Sequence, residues 1–545
     1  MNCPVNTRVR HFAPLAILAA LVGLLPTALA QAYLDPSELI TPRVEDWPTY
    51  NGDYSGRRYS PLDQITQDNV DAMTLAWVYR PSLGRQPQGG GGGNTTTIKG
   101  TPVVVDGILF TTLPDHVYAV DARTGRQLWH FQWESKGGWH IGNRGVGVWH
   151  DTVYVETPDC NLVALNIADG TEKWHTEICD LSQFYYASVA PIVAGNHVIT
   201  GVSGDDLDIP GYLESHDPET GELQWRWYSH PEPGKPEAET WPSVEAMMHG
   251  GGMTWVPSTY DPELGFLYVG TGNPQPVIAG QGREGSNLYT ESVVALDVNT
   301  GELQWWFQAS PHDTHDWDAV QTPVLIDAEV EGQPRKLVAQ ASRNGWFFVL
   351  DRVTGENLIS SEFVETNWAL GVDEKGQPIP NPAKFPALDG ALVSPNQGGA
   401  MNWPPPSYSP RTGLFYANAS RAFSVYYLYD DDDKPEGWGG NDRGGYSEAM
   451  MQAIDVTTGD IAWSHPWPGG GGVRSGSLST AGGLVFTGDP SGNFVAMADD
   501  TGQPLWHAGL GANVSNGPIT FELDGLQYVV VAGNDTLYAF VMLSE

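Results

Sequence analysis

The sequence predicts an all-β fold: an eight-bladed β-propeller of four-stranded antiparallel blades, closed by pairing of its N- and C-terminal strands. Three observations predict it. An eleven-residue phrase recurs seven times along the 545 residues: a small residue, then Asp, then Thr-Gly, then Trp. Self-similarity of this kind signals stacked supersecondary units. Between the copies the chain reads as short apolar runs broken by Gly, Pro and Asp-Gly, with no amphipathic helix beyond short stretches such as 67–73. Asp46-Trp47-Pro48-Thr49-Tyr50 near the start, and 517–528 with Leu537-Tyr538-Ala539-Phe540 at the end, remain to pair in an eighth, closing blade.

In chain order, residues 1–30 read as an export signal cleaved after Ala30. Arg8 and Arg10 precede an apolar run, and Ala28-Leu29-Ala30 is a small-residue cleavage site. The expectation is a periplasmic protein whose single propeller domain spans 31–545. The clearest phrase holds Ala119, Asp121, Thr124, Gly125 and Trp129, and the others lie at 164–174, 215–225, 295–305, 349–359, 453–463 and 496–506. Asn166 replaces Asp in one copy, Ile359 replaces Trp in another, and Asp499 is shifted by one position in the last. Each phrase is expected to end one strand, turn at Thr-Gly and begin the outermost strand of a blade. Glycine suits the left-handed turn, and the Trp supplies a wide apolar face between neighbouring blades. A Gly-rich insert at 88–97 and an acidic one at 430–433 read as surface loops.

Charge narrows the partners. The chain has 27 Lys and Arg against 65 Asp and Glu, a net charge of -38. That field disfavours nucleic acid and anionic membranes and favours cations and basic proteins. No segment after the export signal is apolar for long enough to span a bilayer. Cys160 and Cys179 are the cysteines left after cleavage. A hairpin centred near residue 169 sets them opposite one another, which an oxidising compartment would convert to a disulfide; two free thiols are the alternative. No CxxCH sequence is present, so no c-type haem is attached.

Three segments depart from plain repeat logic. Residues 311–318 read Pro-His-Asp-Thr-His-Asp-Trp-Asp, and this density of carboxylates suits a hard cation or a general base. Asn273 follows Gly270-Thr271-Gly272, where glycines let backbone approach a ligand and the Asn carbonyl is a hard donor. Trp255 follows Gly250-Gly251-Gly252, a flat aromatic able to floor a planar cofactor or to fill a blade junction.

With these residues in place, the chain resembles the quinoprotein alcohol dehydrogenases, eight-bladed propellers that hold pyrroloquinoline quinone (PQQ) and a metal ion on the propeller axis. The resemblance runs from Asp46-Trp47 to Tyr538-Ala539-Phe540. It implies Asp316 as catalytic base and Arg343 beside the quinone carbonyls. It implies Arg144 (after Asn143), Ser188, Ser203, Trp255, Arg343 and Asn402 as cofactor-binding residues. The implied metal ligands are Asp206, Asn273, Asp316 and Asp318, for calcium or a lanthanide; in the family an acid at the Asp318 position accompanies lanthanide use. The implied reaction oxidises a small alcohol to an aldehyde or ketone, with electrons leaving to a separate acceptor such as a c-type cytochrome. Several positions depart from the family. Asp206 stands where a Glu is usual, Lys99 replaces a cofactor-side Glu, Gly138-Trp139 replace an adjacent-cysteine disulfide, and an inner Trp is lost near Arg474. These departures keep an alternative in view: a propeller without cofactor, serving as a periplasmic binding or assembly scaffold.

Overall fold

A computed structural model describes residues 32–82, 96–204, 208–429, 437–469, 471 and 475–542. The segment 1–31, most of the Gly-rich insert, the acidic insert, Asp206 and Arg474 lie outside the described residues. Eight four-stranded antiparallel blades follow one another, seven of them built from consecutive strands. The first runs through Val103–Val105, Ile108–Leu113, His116–Asp121 and Gln127–Gln132, and the eighth through Ile519–Leu523, Leu526–Gly533 and Thr536–Met542. The eighth sheet takes its outermost strand from the other end of the chain: Met73–Tyr79 pairs antiparallel with Thr536–Met542. Tyr59–Ser60 adds a second N-terminal clasp, parallel to Leu478–Thr480 in the seventh blade.

This closure explains why the phrase occurs seven times in an eight-bladed ring. It sits at the turn between the third and outermost strands, and in the eighth blade those strands belong to opposite ends of the chain. Trp77 fills the equivalent position in the eighth blade. In all eight blades a β-bulge shifts the register just before the Trp or Ile359 position. The bulge turns that side chain toward the next blade.

There the ring lies on the glycine of the next blade's turn, Thr-Gly in most copies and Asp169-Gly170 in the second blade. A Cβ at Gly125 would stand 2.8 Å from Trp77, at Gly170 2.6 Å from Trp129, at Gly301 2.6 Å from Trp225, and at Gly502 2.4 Å from Trp463. The indole N–H then finds a carbonyl in the same turn: Trp77 donates to Ala122 O, Trp129 to Ile167 O, Trp225 to Val298 O and Trp305 to Arg352 O, at 2.8–3.1 Å. At the last junction, where no such turn exists, Trp506 packs edge-on against Phe540 with ring centroids 5.2 Å apart.

Three local expectations need correction. The N-terminal segment that closes the ring is Met73–Tyr79, not 46–50, where Trp47 makes only an isolated bridge to Val104. The stretch 67–73 is a single 3-10 turn over Val70–Ala72, after which Met73 begins the closing strand. The disulfide Cys160–Cys179 is present, but the two cysteines do not face one another in register. A bulge between Glu172 and Trp174 pairs Asn161 with Glu177, so Cys160 faces Ile178, and Cys160 reaches the next residue from a left-handed backbone (φ 71°).

Candidate active site

Antiparallel blades fix where side chains can gather. If the innermost strand leaves one face, the turn after it lies on the opposite face, the loop after the second strand returns to the first face, and the Thr-Gly turn is opposite again. The crossover to the next blade then starts from the first face. The described candidate residues occupy connections of that first face. Arg144, Ser188, Trp255, Asp316, Asp318 and Asn402 lie on crossovers, while Ser203, Asn273 and Arg343 follow second strands.

These connections converge. Arg144, Ser188, Ser203 and Trp255 line a cavity of about 290 Å³. Asp316, Asp318, Arg343 and Asn402 line the same cavity. Arg144 is buried, donates to Ser188 Oγ at 2.6 Å, and lies over Trp255 with its guanidinium carbon 4.5 Å from the ring centroid. Its Nε has no acceptor, and burial holds its pKa below the ordinary guanidinium value. Asn402 is braced by its own loop, donating to Gly398 O and accepting from Trp403 N.

The acidic end of the cavity is organised by Arg343. Its Nη1 donates to Asp318 Oδ2 at 2.5 Å and its Nη2 to Asp316 Oδ2 at 2.9 Å, all three residues being buried. Burial opposes the charge on Arg343, but the two carboxylates outweigh it and hold its pKa above the ordinary value. Burial also raises the pKa of Asp318, an effect that Arg343 partly offsets. Asp318 Oδ1 accepts the Asn273 amide at 2.9 Å, so Asn273 joins the cluster through its backbone. Asn273 Oδ1 is buried with no hydrogen-bond partner.

The backbone beneath is strained in the way functional loops often are. His312, Asp316 and Asp318 have φ of 53°, 64° and 21°, each a region that side chains rarely adopt. Asp313 holds the loop by accepting the amides of His315 and Trp317, and buried Arg283 donates to the Asp313 carbonyl at 2.6 Å. Acidity in 311–318 therefore divides: Asp316 and Asp318 face the cavity and Asp313 supports them.

Sequence reasoning missed several participants. Gln397 donates to Asp316 Oδ2 at 2.8 Å and accepts from Arg343 through its carbonyl, so it fixes the pair from a long crossover that carries no repeat signal. Trp403 and Trp438 join the aromatic lining. Glu291 is fully buried with neither carboxyl oxygen hydrogen-bonded, and burial with Asp313 and Asp318 nearby raises its pKa well above the ordinary value. A Glu just before a core strand was the one available signal. Asp206 lies outside the described residues, and among those described no three His, Cys, Asp or Glu side chains already form a metal-holding group.

Comparison with known proteins places this geometry in a family. Residues 47–387 and 444–529 match the PQQ family described as the glucose/ethanol/alcohol dehydrogenase β-propeller domain. The chain is 38% identical to the quinohemoprotein alcohol dehydrogenase of Comamonas testosteroni, over 90% of this chain and 73% of that protein. The crystal structure of that enzyme superposes with a TM-score of 0.85, covering 94% of this chain and 83% of the other at 34% identity. The quinoprotein alcohol dehydrogenase PedH of Pseudomonas putida is 33% identical over 95% of this chain and 91% of its own. A europium-containing methanol dehydrogenase is similar at TM-score 0.81 and 27% identity, covering 92% of this chain and 98% of its own. By fold and sequence, the chain belongs to the PQQ-dependent alcohol dehydrogenases.

Proposed function

We propose that the protein is exported to the periplasm and oxidises a small alcohol to an aldehyde or ketone, with PQQ and one cation held in the central cavity. The observation that carries this reading is the Asp316–Arg343–Asp318 cluster at one end of a cavity floored by Trp255 and bordered by Arg144. The residues fit the cofactor. Arg144 is a buried cation lacking an acceptor at Nε, Ser203 Oγ is buried without a partner, and both line the cavity together with Trp255. Buried polar groups of this kind ask for a bound partner, and a planar polyanion supplies acceptors and an aromatic face together. The cation fits through Asn273 Oδ1, an orphaned hard donor, together with Asp316 and Asp318.

When bound, PQQ supplies the two-electron acceptor for hydride and the cation acts as a Lewis acid beside it. This chain's residues do the rest. Asp316 takes the hydroxyl proton of the alcohol; Arg343 and Gln397 fix one of its oxygens and so orient the carboxylate. Arg343 also presents a permanent positive charge where negative charge gathers on the acceptor. Asn273, Asp316 and Asp318 hold the cation. Asp318 adds a carboxylate that favours a trivalent ion over a divalent one, in keeping with the europium in the methanol dehydrogenase of similar fold. Electrons leave to a separate protein, for which a basic c-type cytochrome suits the net charge of -38.

The test is reconstitution. Purified protein is mixed with PQQ and either calcium or lanthanum, then scored for dye reduction across a panel of primary and secondary alcohols. Expected are saturable alcohol-dependent turnover and its loss by at least about a thousandfold in Asp316→Asn. Absence of turnover with both ions, in folded protein, overturns the reading.

A further inference from the structure

The crossover from the first blade to the second contains a feature the proposed reaction does not use. Trp139 stands at the cavity mouth with 44% of its surface exposed, yet the loop that presents it is closely pinned. Before it, Lys136 N donates to Asp159 Oδ2 at 2.8 Å, and Asp159 also accepts from Trp133 Nε1. After it, buried His140 pairs with Asp115 Oδ2 at 2.7 Å through Nε2 and contacts Gly138 O at 3.2 Å through Nδ1. Gly138, at φ 84°, admits no other residue, because a Cβ there would lie 1.9 Å from the Pro158 carbonyl oxygen. The indole is therefore presented to the cavity from a loop fixed on both sides. Tyr186 stacks beside Trp139, ring centroids 6.4 Å apart and planes 23° apart, and it lines the same cavity. The loop then continues directly to Arg144, the buried cation on Trp255.

We propose that Trp139 is a cofactor-binding residue, supplying with Tyr186 a second aromatic wall for the planar quinone in addition to Trp255. The proposal rests on the reading that PQQ occupies this cavity. Rigid presentation matters physically: an indole already fixed at the mouth loses little rotamer entropy when a ring stacks on it, and offset aromatic pairs contribute beyond their buried area. Lys99 extends the logic. Its stem passes Gly142, where a Cβ would lie 2.6 Å from Lys99 Cδ, so a cationic side chain borders the same wall. An aromatic anion is the ligand class that uses both.

PQQ is titrated into wild type, Trp139→Phe and Trp139→Ala in the presence of calcium, following tryptophan fluorescence and quinone absorbance, with thermal melts confirming the fold of each. Wild-type quenching, retention of affinity within about threefold in Trp139→Phe and loss on the order of tenfold in Trp139→Ala support the proposal. Unchanged affinity in Trp139→Ala overturns it. So does a variant that binds PQQ normally and loses rate only with a protein acceptor, which would place Trp139 at a docking surface. Failure of wild type itself to bind PQQ removes the underlying reading, and this wall with it.

Discussion

Arg343 is a buried cation shared by two buried carboxylates, and the consequences differ for the two. Removing one partner from such a cluster leaves an uncompensated charge, so the informative substitution at position 318 is Asp318→Asn, whose single oxygen can still accept the Asn273 amide while the negative charge and the acceptor toward Arg343 are lost. If Asp318 serves the cation, lanthanum affinity of the cofactor-free protein is expected to fall at least about tenfold more than calcium affinity. Metal titration read by calorimetry checks this, and equal losses for both ions would refute a trivalent preference. Glu291 makes a different prediction because nothing hydrogen-bonds it. Its folded pKa lies well above the ordinary 4.5, so the folded state keeps a proton that the unfolded chain releases. Stability from this group is complete below pH 4.5 and is lost as pH rises toward the folded value. Glu291→Gln mimics the protonated form at every pH. In metal-free protein the variant is expected to melt with wild type near pH 4.5 and increasingly above it toward pH 8; a gap that does not change with pH would count against a buried neutral carboxyl.

At the scale of the repeating element, glycine has two duties in each Thr-Gly turn that can be separated within a single blade. Gly301 and Gly265 both have φ 71° and both donate to the Asp four residues earlier at 2.8 Å. They differ in what lies above them: Trp225 covers Gly301, while a Cβ at Gly265 would meet nothing within 4 Å. Gly265→Ala is therefore expected to cost only the left-handed backbone penalty, about 1–2 kcal/mol. Gly301→Ala adds overlap with the indole, for about 2–4 kcal/mol altogether. Chemical denaturation of the two variants measures the difference, and equal costs would show that Trp225 yields freely. This element was legible in the sequence because its parts are local: Asp caps the turn, Gly makes it, and Trp follows at fixed spacing. The register was not. The bulge before each Trp leaves no residue signature, and for that reason spacing alone put Cys160 opposite Cys179 when its partner in register is Ile178.

Over the whole molecule, connectivity separates the repeated phrase from the chemistry. Phrase turns lie on one face and the candidate residues on the loops of the other, so the most visible sequence feature says least about the site. In the candidate site, Asp316, Asp318, Asn273 and Trp255 stood out by local composition, whereas Arg343 and Arg144 needed the resemblance. Gln397 escaped because its contacts with Asp316 and Arg343 come from a long crossover meeting them in space, which no local pattern encodes. Charge is the property that acts at this scale. With a net charge of -38 and a Debye length of about 10 Å at 0.1 M salt, attraction for a basic acceptor extends well beyond contact at low ionic strength and fades as salt rises. For the holoenzyme, kcat/KM with a basic cytochrome is expected to fall about tenfold between roughly 20 and 200 mM salt. The rate with a neutral dye should change little over the same range, which separates steering from any salt effect on the active site. A cytochrome rate that stays flat or rises with salt would mean that the acceptor docks through apolar contact, leaving the acidic surface to solubility.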